Sequence, residues 1–206
     1  MKLSIHQSIE GQIDELIPGE LVFPTDFRGK GSEAAIKMSL SRLVKEKKIE
    51  RVAHGIYYRP KIHPIIGKLL PSPEEVAKGI AKKERVRIRP TGAYALNQLG
   101  LSEQVPTKLS YITDGQARAI KVGKAEITFK HTTPKKFSMK GQISSLLIQG
   151  LEELGIKNME LATDHFKEKI KLLIEKENPA DLKHDLHLAP GKIHDFILNI
   201  ISKEND

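Results

Sequence analysis

Residues 25–60 read TDFRGKGSEAAIKMSLSRLVKEKKIERVAHGIYYRP. The glycines at 29 and 31 predict a flexible turn, and Ser32 is a preferred residue at the start of a helix. Four apolar residues then recur at i, i+4, i+7 and i+8, the period of one buried helical stripe. They are Ile36, Leu40, Leu43 and Val44. We therefore expect a helix from Ser32 to Lys47 with one face in a core.

The opposite face of this helix carries small, apolar and basic side chains and no acid. A turn of about 100° per residue places Ala34, Met38, Ser41, Arg42 and Lys45 there, with Lys37 at the margin. Insertion between two phosphate strands requires room, hydrogen-bond donors and positive flanks. The pattern is therefore typical of a helix that enters the major groove of duplex DNA. An ordinary cationic solvent face is the alternative.

A basic hairpin is predicted directly after this helix. Apolar and polar residues alternate over 49–53, and His54-Gly55 is a plausible tight turn before the apolar stretch 56–58. Upstream, residues 4–17 have the spacing of an amphipathic helix, and Thr25 is expected to start a one-turn helix. A helix, a short helix, a basic helix and a hairpin in this order predict a winged helix-turn-helix over residues 1–62.

Positive charge is concentrated in the middle of the chain. The whole sequence of 206 residues has a formal net charge of +8. Residues 28–61 contain ten Lys and Arg against three Asp and Glu, and residues 62–150 contain 15 against six. Both ends are acidic. A concentrated positive field favours a polyanion or an acidic protein as partner.

The rest of the chain predicts an α+β organisation. Over 72–155 we expect a helix at 73–83, a short basic strand near 86–88, a helix at 92–99 and an antiparallel meander of three strands over 109–131. A helix from Gly141 to Gly155 closes this mixed domain. Residues 156–206 are expected to form a helical extension, with helices near 159–177 and 191–203. Residues 63–73, with three prolines, are interpreted as a linker.

The predicted DNA contacts fall into two groups. The residues expected to face the major groove are Ser32, Lys37, Met38, Ser41, Arg42 and Lys45. Those expected to grip the DNA backbone or the wing side are Lys30, Arg51, His54 and Arg59. Arg42 is the first choice for direct base reading, because its planar fork can bridge the two acceptors of guanine.

Two blocks of sequence resemble a known family. The first comprises LSRLVK at 40–45, IERV at 49–52 and GIYY at 55–58. The second comprises PTGAYALNQLGLS at 90–102, QVP at 104–106 and YITDG at 111–115. Together they resemble the AbiEi-like antitoxins of type IV toxin–antitoxin systems, in particular a winged-helix group described as a domain of unknown function. The second block is the more specific.

The resemblance implies a two-part antitoxin of an abortive-infection system. Its N-terminal winged helix would repress its own operon, so the expected partner is double-stranded operator DNA, with a homodimer as a candidate assembly. The following domain would oppose a nucleotidyltransferase-like toxin. The resemblance covers residues 5–155 and leaves residues 156–206 without an implied role.

Other chemistries find little support in the sequence. The chain contains no Cys, which excludes disulfides and thiolate ligands. Gly29-Lys30-Gly31-Ser32 lacks the full spacing of a phosphate loop, and no nucleophile elbow occurs. His184, His187 and His194 lack a clear further ligand, so we expect neither a metal nor a cofactor, and no enzyme. The early polar residues and the lack of a long apolar run favour a cytoplasmic protein without a membrane partner.

Two alternatives to DNA reading remain at this point. In the first, the basic middle domain binds an acidic partner protein and the winged helix is only a scaffold. In the second, Arg85, Arg87 and Arg89 on one strand bind RNA beside Tyr94. The RNA alternative ranks last, because the sequence offers no aromatic stacking platform.

Overall fold

A computed structural model describes residues 3–202 and shows an α+β protein. The chain divides into two compact units. Unit 1 contains the residues up to Ile80 together with Ile120–Lys124, and unit 2 contains Ala81–Ala119 and the residues from Ala125 onward. Within residues 3–202, no helix combines the length and the apolar character that a membrane span requires.

Unit 1 contains the predicted helices and hairpin in the predicted order, together with three short strands that were not predicted. Its elements are α1 (Ile5–Asp14), β1 (Leu21–Val22), a 3-10 helix (Pro24–Phe27), α2 (Glu33–Lys45), β2 (Glu50–Ala53), β3 (Ile56–Tyr58), β4 (Lys61–His63) and β5 (Gly67–Leu69). The Ser32 hydroxyl accepts a hydrogen bond from the Ala35 amide at 3.3 Å, which confirms the predicted start of α2. The helix α1 ends at Asp14, earlier than the predicted residue 17.

The core of unit 1 joins α1 to α2. The stripe Ile36, Leu40 and Leu43 is buried as predicted. Its fully buried neighbours come from α1, β1, the 3-10 helix and the start of the hairpin. They are Ile9, Ile13, Val22, Phe27 and Ile49. Burial of this stripe fixes which side of α2 is turned outward.

The hairpin of β2 and β3 belongs to a three-stranded sheet in the order β1-β3-β2. Both pairings are antiparallel, with Leu21 opposite Tyr58 and Arg51 opposite Tyr57. Lys47 has a φ of 60° and so adopts the left-handed conformation that ends α2. The amide of Lys48 then donates to the Leu43 carbonyl at 3.0 Å, which turns the chain directly into β2.

The segment interpreted as a linker is partly a second hairpin. The strands β4 and β5 pair antiparallel, with Lys61 opposite Leu69 and His63 opposite Gly67. They form a separate two-stranded sheet. The linker interpretation was therefore wrong for residues 63–69, because three-residue strands with prolines nearby give almost no alternation to detect.

Unit 2 is built on a sheet and a helical layer. The elements that follow β5 along the chain are α3 (Pro73–Glu84), β6 (Ile88–Pro90), α4 (Gly92–Gln98), β7 (Lys108–Thr113), β8 (Arg118–Val122), β9 (Ala125–His131), α5 (Pro134–Phe137), α6 (Gln142–Leu154), α7 (Ile156–Glu160), α8 (Asp164–Ile174), α9 (Pro179–Leu188) and α10 (Gly191–Ser202). The predicted helix at 73–83 begins with a capping box at Ser72 and Glu75, with mutual hydrogen bonds of 2.7 and 3.2 Å.

The predicted antiparallel meander is wrong for its first pair of strands, although β8 and β9 are neighbours as the meander requires. The strand order is β6-β7-β9-β8, and β7 runs parallel to β9, with Leu109 opposite Ile127 and Tyr111 opposite Phe129. Residues 109–113 are all buried, as is typical of a central strand. Asp-Gly is a common hairpin turn, but the carboxylate of Asp114, which precedes Gly115, accepts hydrogen bonds from Arg87.

The C-terminal helices share one core with α4 and α6. Its members include Leu96, Leu147, Ile170 and Ile197. The single helix expected near 159–177 is two helices, because the Thr163 hydroxyl accepts from the Phe166 amide at 3.3 Å and starts α8 anew. The helix α9, between α8 and α10, was not predicted as an element.

Candidate nucleic-acid interface

The outward face of α2 carries most of the residues predicted to contact DNA. Lys37, Ser41, Arg42 and Lys45 are exposed, and Met38 is 57% exposed although it is a large apolar side chain. Lys37 lies 3.7 Å from Glu33 in an exposed ion pair that contributes little. The structure therefore brings together five of the six residues predicted for the major groove. The sixth, Ser32, is exposed at the N-cap of the same helix.

Arg42 and Lys45 keep their charges available in the described part of the chain. Neither forms an ion pair with a carboxylate there. The one polar contact of the Arg42 side chain in that part of the chain is between its Nη2 and the Met38 sulfur at 3.6 Å. Two cations near the C-terminus of α2 also suit the partial negative charge of a helix end. This face thus combines a positive charge with an exposed apolar side chain.

The tip of the β2–β3 hairpin holds two more predicted residues in contact with each other. Arg51 Nη2 lies 3.0 Å from His54 Nδ1, and Arg51 Nε donates to the Ala53 carbonyl at 3.3 Å. Gly55, next to His54, has a φ of 69°, which the turn requires and a glycine adopts easily. Both Arg51 and His54 are exposed, so the hairpin presents a positive tip.

The other two predicted contacts are used inside unit 1. The half-buried Lys30 donates from Nζ to the Ser8 carbonyl at 2.9 Å and to the Ser8 hydroxyl at 3.0 Å. Arg59 donates from Nη1 to the Leu16 carbonyl. Each of these cations holds the N-terminal helix region against the rest of the unit. The structure thus separates Lys30 and Arg59 from the other eight candidates.

Several basic side chains of unit 2 pair with carboxylates. Arg87 pairs with Asp114 at 2.8 Å, and Lys136 pairs with Glu152 at 2.7 Å. Further pairs join Arg118 to Glu84 at 2.5 Å and Lys130 to Glu153. Part of the positive charge of the middle segment is therefore matched by individual carboxylates.

Two of the three arginines considered for RNA binding, Arg87 and Arg89, are engaged within unit 2, while Arg85 is exposed between α3 and β6. Arg89 donates to the carbonyls of Lys136 and Met139 at 2.9 and 3.1 Å. The Arg87 guanidinium also lies over the Phe137 ring, 4.7 Å from its centre. These contacts tie β6 to α5 and to the start of α6.

The histidines weighed as metal ligands also make local contacts. His184 Nδ1 lies 3.0 Å from Asp185, and His187 Nδ1 lies 2.6 Å from the Lys183 carbonyl. His194 Nδ1 lies 3.0 Å from Asp195. Among residues 3–202 no group of three or more suitable side chains is placed to hold a metal ion.

Sequence reasoning missed an exposed surface on the β4–β5 hairpin. The exposed aliphatic side chains there belong to Ile62, Ile65, Ile66 and Leu70. The sequence does indicate an unusual surface in this region, since Arg51 to Pro73 contains no Asp or Glu. A run of basic, apolar and proline residues of this kind was interpreted only as a linker.

Comparison with protein families adds one finding. A model of a family of unknown function, DUF6088, matches residues 8–182, which is most of the chain. The protein belongs to DUF6088. The matched segment of this DUF6088 member includes all ten candidate DNA contacts and extends through α8 into α9. No curated protein matches the chain.

Proposed function

We propose that this DUF6088 member is a sequence-specific DNA-binding protein that represses transcription of its own operon. Unit 1 supports this as a winged helix-turn-helix in which α2 is the recognition helix and the β2–β3 hairpin is the wing. The observation that carries the proposal is the acid-free, exposed face of α2. Met38, Ser41, Arg42 and Lys45 occupy that face while the opposite stripe is buried.

The chemistry of this face suits the major groove. A guanidinium can donate two hydrogen bonds to the O6 and N7 atoms of one guanine, and an exposed methionine offers apolar contact to a thymine methyl group. On the same face, Ser41 supplies a short hydroxyl donor and Lys45 supplies a positive charge. Arg51 and His54 at the hairpin tip are placed to bind phosphates.

The charge distribution favours unit 1 over unit 2 as the polyanion-binding part. Several basic residues of unit 2 pair with carboxylates, as at Arg87–Asp114 and Lys136–Glu152. Arg42 and Lys45 form no such pair within residues 3–202 and lie together on one exposed helix face. This cluster of unpaired cations on α2 supports DNA binding by unit 1.

The first experiment measures binding of the full chain to DNA from upstream of its own reading frame. The control duplex has the same length and a shuffled sequence. The proposal predicts tighter binding to the upstream DNA, with a steep fall in affinity as salt rises because several counterions are released. A chain with little affinity for either duplex would support the scaffold alternative and overturn the proposal.

The antitoxin part of the proposal rests on the family resemblance. We propose that unit 2 opposes a nucleotidyltransferase-like toxin encoded beside this gene. The test is a growth assay in which the adjacent reading frame is expressed alone and together with this chain. Growth arrest by the neighbour that this chain relieves would support the role. A harmless neighbour, or arrest that this chain leaves unchanged, would overturn it.

A further inference from the structure

The β4–β5 hairpin is a small two-stranded element with an ordered tip. Its strands pair with each other and with no further strand in the described residues. At the tip, the amides of Ile65 and Ile66 lie 3.2 and 3.4 Å from the Nδ1 atom of His63 and donate to it. The side-chain nitrogen of His63 thus fixes the backbone that carries the two isoleucines.

Large aliphatic side chains cover this hairpin and are turned to solvent. Ile65 is 87% exposed, Ile62 75%, Leu70 71% and Ile66 69%. Single exposed apolar residues are common on proteins, but a group of four on one short element marks a surface that contacts a partner.

The charged residues of the segment that carries these side chains are only positive. From Arg51 to Pro73 the chain contains no Asp or Glu, and Lys61 and His63 are exposed on β4. An apolar tip with a cationic base complements a polyanion that also offers an apolar surface. Duplex DNA meets both conditions, because its phosphates flank stacked bases.

The hairpin also lies beside the proposed wing. Lys68 on β5 donates from Nζ to the Glu50 carboxylate at the start of β2. Arg51 of the wing lines a cleft of about 250 Å³ together with Tyr58, Leu70 and Pro71, all within unit 1. The base of the second hairpin and the strand that carries Arg51 therefore border the same cleft.

From this placement we propose that the β4–β5 hairpin is a second wing, which inserts Ile65 and Ile66 into the minor groove of duplex DNA. Aliphatic side chains that enter the minor groove separate base pairs partially and bend the duplex. Lys61 would bind a flanking phosphate. The inference rests on the proposed function and extends it to the groove beside the one that α2 reads.

A second copy of the chain fits the same surface less well. Symmetric pairing of two such hairpins would place the Lys61 ammonium group of one copy near that of the other. Like charges at close range oppose association. A duplex instead matches the cations with phosphates and covers the isoleucines.

The test compares the full chain with the double variant Ile65→Ser/Ile66→Ser. Ile17→Ser is the matched control, because Ile17 is a 74% exposed isoleucine of unit 1 outside both hairpins. The probes are a duplex from upstream of the chain's own reading frame and a shuffled duplex, each carrying a fluorophore pair at its ends. Affinity, its salt dependence and the end-to-end distance are measured.

The double variant is expected to bind the upstream duplex roughly tenfold more weakly. The bend of about 20–90° that an inserted side chain produces should be lost. The slope of log affinity against log salt should stay unchanged, because no charge is removed. Ile17→Ser should behave as the unmodified chain in all three respects.

The outcomes separate this inference from the proposed function. If Arg42→Ala weakens binding while the double variant keeps full affinity and bend, the second wing is refuted and the repressor proposal stands. If the unmodified chain binds neither duplex, both fall. If the double variant changes the molecular mass in sedimentation from dimer to monomer, the isoleucines join two copies and the DNA inference is overturned.

Discussion

The Nη2 atom of Arg42 lies 3.6 Å from the sulfur of Met38, one turn earlier on α2. A carboxylate at position 38 would therefore pair with Arg42 and repel phosphates. We expect Met38→Glu to reduce affinity for the upstream duplex by tenfold or more. The free energy of unfolding should change by no more than about 0.5 kcal/mol, since position 38 is exposed. Anisotropy titration and urea unfolding measure the two effects.

The matched control adds the same charge elsewhere on unit 1. Ile17 is exposed and lies after α1, so Ile17→Glu gives the same change in net charge. Equal loss of affinity in both variants would mean that total charge, and not the face of α2, determines binding.

Lys45 and Lys30 are expected to behave differently although both were predicted to contact DNA. Lys45→Ala should weaken binding to the upstream and shuffled duplexes alike and reduce the salt slope by about one. Lys30 donates to Ser8, so Lys30→Ala should instead lower the free energy of unfolding by about 0.5–1.5 kcal/mol. A reduced salt slope for Lys30→Ala with unchanged stability would show that its Nζ leaves Ser8 to bind a phosphate.

Asp185 is a residue of α9 whose buried carboxylate contacts the start of α6. It accepts from the amides of Lys140 and Gly141 at 2.7 and 2.9 Å and from the Ser144 hydroxyl at 2.6 Å. Asp185→Asn places an amide donor against these donors, so we expect a loss of about 1.5–3 kcal/mol in the free energy of unfolding at neutral pH. Asp195→Asn, on the exposed surface of α10, should cost much less.

The pH dependence of the free energy of unfolding provides a second test of the role of Asp185. Burial raises the pKa of its carboxyl group, but hydrogen bonds from Ser144, His184 and the two amides outweigh burial and lower it below the ordinary 3.8. A depressed folded-state pKa stabilises the protein above the unfolded-state pKa, and this part is lost as pH falls through the folded value. Urea unfolding should therefore show that the free energy of unfolding falls below about pH 4, and that it falls less in Asp185→Asn than in the unmodified chain. An identical acid loss in both proteins would contradict this assignment.

The Tyr58 hydroxyl is expected to make the free energy of unfolding depend on pH in the alkaline range. Burial, with a hydrogen bond of 3.0 Å to Glu50, raises the pKa of its hydroxyl to about 12. A raised folded-state pKa stabilises the protein below the unfolded-state pKa, and this part is lost as pH rises from about 10 through the folded value. Tyr58→Phe should show a weaker alkaline loss of stability in urea unfolding. Tyr57→Phe serves as the control on the same strand, and equal alkaline curves for both variants would contradict the role of Tyr58.

The helices of unit 1 were predictable because their signals are local. Ser32 caps α2 through the Ala35 amide, and the spacing of Ile36, Leu40 and Leu43 selects the buried face within one helix. A cap and a periodic stripe depend on residues a few positions apart. The exposed face then follows by geometry, which is why Met38 and Arg42 were found from sequence.

The sheet of unit 2 was not predictable in the same way. Turn chemistry at Asp114 favours a hairpin, but the parallel pairing of β7 with β9 brings together residues such as Tyr111 and Phe129 that are far apart in the chain. Arg87 also donates to the Asp114 carboxylate from its backbone amide and from Nε, and the charged guanidinium is a stronger partner than the amide of a turn. Long-range pairing of this kind leaves no local pattern.

The same reason explains why the internal contacts of two predicted site residues were not foreseen. Lys30 and Arg59 look like free cations in sequence, and only the fold brings Ser8 and the Leu16 carbonyl within reach. The β4–β5 hairpin was hidden by its short strands. Residues 51–73 contain no Asp or Glu. This feature bears on the partner of the hairpin and does not indicate its fold.

The affinities of Arg42→Ala for the upstream duplex and for the shuffled duplex, measured side by side, decide whether α2 reads base sequence. We predict a loss of about 1–3 kcal/mol on the upstream duplex and a much smaller loss on the shuffled one. Arg42→Lys should rescue binding incompletely, since an ammonium group cannot bridge the two acceptors of guanine. Equal losses on both duplexes, or full affinity in the variant, would contradict the claim that α2 reads base sequence.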